Sequence, residues 1–261
     1  MRKIICWLLM CAVMMMLMGC EKENVQVIPS PKVEEEQGEQ QKEQQEEQQE
    51  EHSTLYNEKY TVEDVIEYFN EVVLDVEYAT GDGDFTLVQK WDIPLYYEMT
   101  GENTEKDWEV LQDFFEELNE IKGFPGIYQA TDENPANVNI GFYEYDAFYD
   151  AMGEVVNYED ADGAVQFWYG TETNDIYTMN IGYRTDINQY ARNSVLLEEI
   201  VNGLGITDTK LREDSIVYQE YSEIQELSDM DWLLLKLLYH PDIVCGMNKE
   251  ECESVIRDIY Y

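Results

Sequence analysis

The chain has 261 residues, with 57 Asp and Glu against 16 Lys and Arg, a formal net charge of −41. That balance excludes nucleic acid and anionic lipid as surface partners, because phosphate recognition requires a cationic footprint. Hydrophobic residues make up 44% of the chain, enough to pack a core within residues 57–261.

The chain begins "MRKIICWLLMCAVMMMLMGC". Arg2 and Lys3 precede an apolar run from Ile4 to Met18, shorter than the about 20 residues a membrane span requires. A basic start and a short apolar core read as a secretory signal over residues 1–19. Leu17-Met18-Gly19-Cys20 resembles a bacterial lipobox. The resemblance implies diacylglyceryl transfer to the Cys20 sulfur, cleavage before it and acylation of the new amino terminus. Lipidated Cys20 would then anchor the chain at the extracytoplasmic face of a bacterial cell membrane, with more than one acyl chain giving stable attachment.

Residues 20–56 are rich in Glu and Gln and nearly free of large apolar side chains. Such a segment buries too little surface to offset the entropy of ordering. It reads as a solvated, self-repelling tether. No internal repeat or second linker interrupts residues 57–261, so one domain is expected there.

Within that domain, "YTVEDVIEYFNEVVLD" places Val62, Val65, Ile66, Phe69, Val72 and Val73 at helical spacing. Thr61 and Asp64 stand as a capping box. "GDGD" at 81–84 marks a turn. "FTLVQKWDIPLYYEM" carries β-branched and aromatic residues in two runs broken at Pro94, which predicts two short strands. "NTEKDWEVLQDFFEELNEIKG" predicts a helix capped by Thr104 and closed by Gly123, with Trp108, Leu111, Phe115, Leu118 and Ile121 on one face. A strand over "ANVNIGFY", a short helix over "YDAFYDAMG" and two strands around a turn at 170–175 follow. "INQYARNSVLLEEIVNGLG" predicts a helix, then an irregular loop through "DSIVYQ". "LSDMDWLLLKLLY" predicts a helix capped by Ser228 and buried through Leu227, Trp232, Leu235 and Leu238. "NKEECESVIRDIYY" predicts the last helix. Helices and strands mixed without strict alternation indicate an α+β fold.

The stretch "LLEEIVNGLG", residues 196–205, has the outline of a zinc-peptidase helix without its histidines. Aligned on Gly205, Glu198 and Asn202 occupy the two metal-ligand positions and Glu199 that of the catalytic glutamate. Residues four apart share a helix face, so the frame is intact. The ligands are not, because such enzymes hold zinc with neutral imidazole nitrogens. A carboxylate and an amide make a far weaker zinc site. After Asn57 the chain has a single histidine, His240, so neither a metal nor any other cofactor is expected. "DSIVYQE" stands where such enzymes turn beneath the metal, which makes Glu198, Glu199, Asn202 and Ser215 the candidate cleft.

Taken together, "LLEEIVNGLGITD", "DSIVY", "LSDMDWLLLKLLYHPDIVCGM" and the upstream "VQKWDIPLYYEMTG" resemble the bacterial domain of unknown function 2927. The resemblance covers most of residues 60–250 and implies a zincin-like mixed sheet packed on long helices. Asn202 stands for that family's Gln and Val217 for its Phe, and neither exchange supplies a metal ligand. No established activity comes with the family.

Several chemistries are weighed against plainer roles. Glu198 and Glu199 are adjacent and point about 100° apart, unlike the converging carboxylates of a hydrolytic pair. The plainer expectation is a polar helix face bonded to the sheet edge and to Arg184 or Arg192. His240 precedes Pro241 and is expected as a cation capping a helix end. Asp231 is expected to make a structural hydrogen bond near "DSIVY". "YEDADG" lacks the ligand spacing of a calcium loop and reads as a turn. Ser194 and Ser215 have no histidine nearby for a triad. Cys6 and Cys11 leave with the leader, and Cys245 and Cys252 are spaced so that a disulfide between them closes a small loop. The 20 tyrosines fill half-buried strand positions or line a face for sugars or peptides. Two functions result: a non-metallopeptidase that binds a peptide or envelope protein along a sheet edge, and a divergent hydrolase with Glu199 as general base.

Overall fold

Thr61 opens helix α1 (Val62–Phe69), accepting from Asp64 N while the Asp64 carboxylate accepts from Thr61 N. The helix continues as one wide π-turn, Asn70–Leu74, in which Asn70, Val72, Val73 and Leu74 are all buried. These positions come from a computed structural model that describes residues 55–74, 87–153, 161–220 and 223–261, all within the unit Gln48–Tyr261. The leader, the tether as far as residue 54, the turn at 81–84 and the first half of "YEDADG" lie outside the described residues. The packed region starts slightly earlier than expected. Leu55 is buried in the main core, and the Tyr56 ring lies 5.7 Å from that of Tyr260.

Pro94 splits the next segment, as its composition predicts, into β1 (Lys90–Trp91) and β2 (Leu95–Gly101). Helix α2 (Glu105–Asn119) follows with Thr104 as its cap. The remaining elements are β3 (Ile127–Gln129), β4 (Val138–Tyr143), α3 (Tyr145–Met152), β5 (Gly163–Tyr169), β6 (Asp175–Arg184), α4 (Gln189–Gly203), α5 (Asp229–Leu238) and α6 (Lys249–Ile259).

The strands make one mixed sheet with β6 paired to β4, β4 to β2, and β2 to β3, all parallel. Strand β5 is the antiparallel exception and pairs with β6 from Gly163↔Tyr183 to Tyr169↔Ile176. Because β5 holds that edge of β6 as far as Ile176, the parallel pairing of β1 with Asp175 and Ile176 must use the opposite edge, in line with β4. A bulge at Trp168/Tyr169 leaves Tyr177 unpaired and exposed.

Alternation along each strand divides the sheet into two unlike faces. Leu95, Tyr97, Ile127, Val138, Ile140, Ile176, Met179, Ile181 and Tyr183 enter the main core with the buried sides of α1, α2, α4, α5 and α6. The opposite face is covered by α3 alone among the described elements, through a small cluster of Phe148, Met152 and Ala161. Gly141 and Gly182 are register partners there. A Cβ on Gly182 would stand 2.5 Å from Met152 Cγ, so a bare backbone at this position is what admits α3.

Buried polar groups connect the elements. Trp91 Nε1 donates to Gly203 O at 2.9 Å, and the Tyr183 and Tyr239 hydroxyls donate to Leu196 O and Leu204 O. Lys90 is buried and donates to Leu238 O and Ile243 O, satisfying a carbonyl at the end of α5 that the helix leaves open. Burial pushes its pKa down. Gly205 ends the α4 turn at φ +102°, and a Cβ there would sit 2.2 Å from Gln89 O. Gly205→Ala is therefore expected to cost about 2–4 kcal/mol in strain and overlap. Urea unfolding would show it as a lower midpoint at unchanged slope.

Candidate functional site

Helix α4 carries three of the four candidate cleft residues. Asn188 caps its start, accepting from Ala191 N at 2.9 Å. Its inner face lies against β5 and β6 at small residues. A Cβ on Gly163 would meet Val195 Cγ1 at 2.4 Å and Glu199 Oε1 at 2.9 Å, and one on Gly203 would meet Met179 Sδ at 2.4 Å. The Glu199 carboxyl thus sits directly beneath the first residue of β5, with the residue only 8% exposed.

Glu198, Glu199 and Asn202 are brought together, joined by a fourth residue that sequence reasoning passed over. Past Gly205 the chain turns back along α4, and Asn202 Nδ2 donates to Asp208 Oδ1 at 3.0 Å. Asn202 Oδ1 is buried without a hydrogen-bond partner among the described residues. The available signal for Asp208 was the helix-terminating glycine, which returns the following acid toward the face carrying Asn202.

The electrostatics of the cluster are one-sided. Burial, with Asp208 and Asp162 nearby, pushes the Glu198 carboxyl up to about 8. Burial, then the neighbouring Glu198 and Asp208, raises Glu199 well above the usual carboxylate range. Asp208 is also raised by burial, partly offset by the Asn202 amide. The direction of the Glu199 shift disfavours the ionised carboxylate that a general base needs. Among the described residues, no three His, Cys, Asp or Glu side chains are arranged to hold a metal ion.

The arginines expected at this helix face go elsewhere. Arg184 pairs with Asp186 through Nε and Nη2 at 3.0 and 2.8 Å, reaches Asp162 at 3.3 Å and covers the Tyr145 ring at 4.8 Å. Arg192 turns toward α2 and donates from Nε to Asp107 Oδ1 at 2.8 Å. Asp107 also accepts from Gln189 Nε2 at 2.6 Å and Thr104 N at 2.7 Å, so three donors converge on one fully buried carboxylate. Arg192 lies about two turns nearer the helix start than Glu199, where its guanidinium meets Asp107 of α2.

Ser215 belongs to a different constellation. It is fully buried, donates to Asp231 Oδ1 at 2.6 Å and accepts from the Tyr68 hydroxyl at 2.9 Å. Asp231 also accepts from Ile216 N and Ser228 N, which makes it the brace of the loop as expected. His240 lies just past the end of α5, beside Asp242. Its Nδ1 is 3.2 Å from Asp242 N and 3.8 Å from Asp242 Oδ2. Cys245 and Cys252 are free thiols rather than a closed bridge. Cys245 donates to Lys90 O at 3.5 Å, while Cys252 is buried in α6 and burial pushes its thiol up to about 12. Two cavities open at other places. One of ≈ 710 Å³ is lined by Tyr97, Glu98, Trp108 and Gln129, and one of ≈ 550 Å³ by Asn70, Glu71 and Lys249.

No curated protein matches the chain. The family model described as protein of unknown function (DUF2927) matches residues 62–258, from the first turn of α1 to the last turn of α6. The chain belongs to the DUF2927 family of proteins of unknown function.

Proposed function

We propose that the domain is a zincin-like scaffold that binds an extended peptide, or a segment of an envelope protein, along the outer edge of β5. Lipid on Cys20 displays it outside a bacterial cell membrane. The observation that carries the proposal is the position of β5. It is the one antiparallel strand of the sheet, it pairs with β6 alone among the described strands, and it lies over the helix that bears Glu198, Glu199 and Asn202. A strand edge of this kind offers main-chain donors and acceptors to an added strand, while alternate side chains set specificity. The raised pKa of Glu199 and the single histidine within residues 57–261 favour binding over metal-assisted hydrolysis. Among the described residues no helix is long and apolar enough to cross a membrane, and the lipid on Cys20 supplies the attachment in this reading.

Hydrogen exchange on the full-length chain with a panel of extended peptides is the test. The expected result is slowed exchange at the backbone amides of Gly163–Tyr169. Protection confined to other strands, or stoichiometric zinc held tightly by the purified chain, refutes the proposal. Peptide cleavage that disappears in Glu199→Gln would establish the hydrolase instead.

A further inference from the structure

The face of the sheet turned away from the main core carries a row of polar side chains in register across four strands. Gln166 pairs with Asn180, Asn180 with Asn139, and Asn139 with Glu98. Asn139 Nδ2 donates to Asn180 Oδ1 at 2.9 Å, so the amides lie side by side on the surface. With strands about 4.8 Å apart, the row runs about 14 Å. Aromatic rings border it. On one side stand exposed Trp168 and the Tyr96–Tyr128 pair, with ring centroids 6.2 Å apart. On the other, the Tyr143 ring lies over Gly141, where a Cβ would meet it at 2.3 Å.

The row ends in a cavity. Glu98, its last member, also lines the ≈ 710 Å³ cavity that opens where β3 leaves β2, together with Trp108, Tyr97, Asn103, Gln129 and Asp132. This volume lies within the ~300–1,000 Å³ of ligand sites. The lining and the row contain two carboxylates, five side-chain amides and aromatic rings, and no Lys, Arg or His.

We propose that this face and its terminal cavity bind an uncharged glycan bearing acetamido groups. Three features select it. Side-chain amides offer a donor and an acceptor each, which an acetamido group and sugar hydroxyls match reciprocally, whereas a cation would use only the acceptors. Exposed aromatic rings present flat apolar surface to the C–H face of a sugar ring while their polar atoms stay in water. The carboxylates, set in a chain of formal net charge −41, repel an anionic polymer. The glycan chain crosses the strands along the amide row on the outer face and passes the β2 edge left open beyond β3, so that one end reaches Trp108 of α2. The site uses the outer face of the sheet and the open part of the β2 edge, and does not depend on peptide pairing at the β5 edge.

Titration of the full-length chain in detergent with chitohexaose, cellohexaose and oligolysine tests the proposal, read by calorimetry and tryptophan fluorescence. Chitohexaose is expected to bind, and cellohexaose at least about tenfold more weakly for want of acetamido groups. Asn139→Ala and Asn180→Ala replace surface side chains and should each weaken chitohexaose roughly fivefold to tenfold with unfolding unchanged. Absence of chitohexaose binding by folded protein, equal affinity for cellohexaose, or affinity indifferent to both substitutions overturns it. Binding of oligolysine in preference to chitohexaose also overturns it and makes the site one for cationic chains.

Discussion

Arg192→Ala is expected to destabilise the domain by about 3–5 kcal/mol, because it strands a buried carboxylate. Asp107 is wholly inaccessible and Arg192 nearly so, and the guanidinium also holds Thr185 O and Gln189 Oε1. Removing the cation leaves Asp107 with two donors and a charge it cannot share with water. The pair ties the start of α4 to the start of α2, so the loss falls on the packing of both helices. Burial opposes ionisation of Asp107, but hydrogen bonds from Arg192, Gln189 and Thr104 outweigh it and hold the carboxyl below its ordinary value of 3.8. A depressed folded pKa gives stability that is present above the unfolded value and vanishes as pH falls through the folded one. The deficit of Arg192→Ala, read from urea midpoints, should therefore be full at pH 7 and shrink below about pH 4. A variant as stable as the parent at pH 7 would show that the pair contributes no net stabilisation. Replacing both partners by apolar residues of similar volume should recover most of the loss.

Glu198→Gln should act in the opposite direction. The folded carboxyl is raised to about 8 from an ordinary 4.5 by burial first and then by Asp208 and Asp162. Between those values the folded chain must hold a proton that the unfolded chain releases, so stability falls as pH rises, by at most ~1.4 kcal/mol per pH unit for one group. Glutamine keeps the shape of the protonated form and does not titrate. The gain should be absent near pH 4, grow through the window and level off above about pH 8. Glu198 is only half-buried and solvent screens part of the penalty, so the plateau should be on the order of 2 kcal/mol. Urea unfolding across pH 4–9 checks it, and a gain of constant size at every pH would remove the raised carboxyl as its cause. Glu199→Gln should be tolerated for the same steric reason, which allows the hydrolase test to use a folded variant.

Elements with strong local signals stand where their patterns place them. Thr61, Thr104 and Ser228 cap helices and Pro94 separates β1 from β2, because caps and proline act within three or four residues. Strand β3 was illegible. It has three residues and only Ile127 points inward, so no alternation can develop. The π-turn at Asn70–Leu74 was equally hidden, since Val72 and Val73 satisfy a helical spacing whether the turn is tight or wide. At the candidate site, the helix frame and its substitutions were visible in "LLEEIVNGLG". The arginine partners were not, because Arg192 finds Asp107 85 positions away and local sequence carries no record of that meeting. Ser215 was misplaced for a related reason. Its loop is held by Asp231 from α5, which draws the hydroxyl into the interior instead of toward α4.

Helix α3 rests on a satellite of three buried side chains, separate from the main core, over a pair of facing glycines. An element held this way can undock without disturbing the pairing of the sheet beneath it, as a sub-global opening far cheaper than unfolding the domain. Tyr143 and Tyr149 pack against the same satellite, so each such excursion would bare ring surface next to the amide row. The outer face would then breathe at one end while the rest of the sheet stays closed.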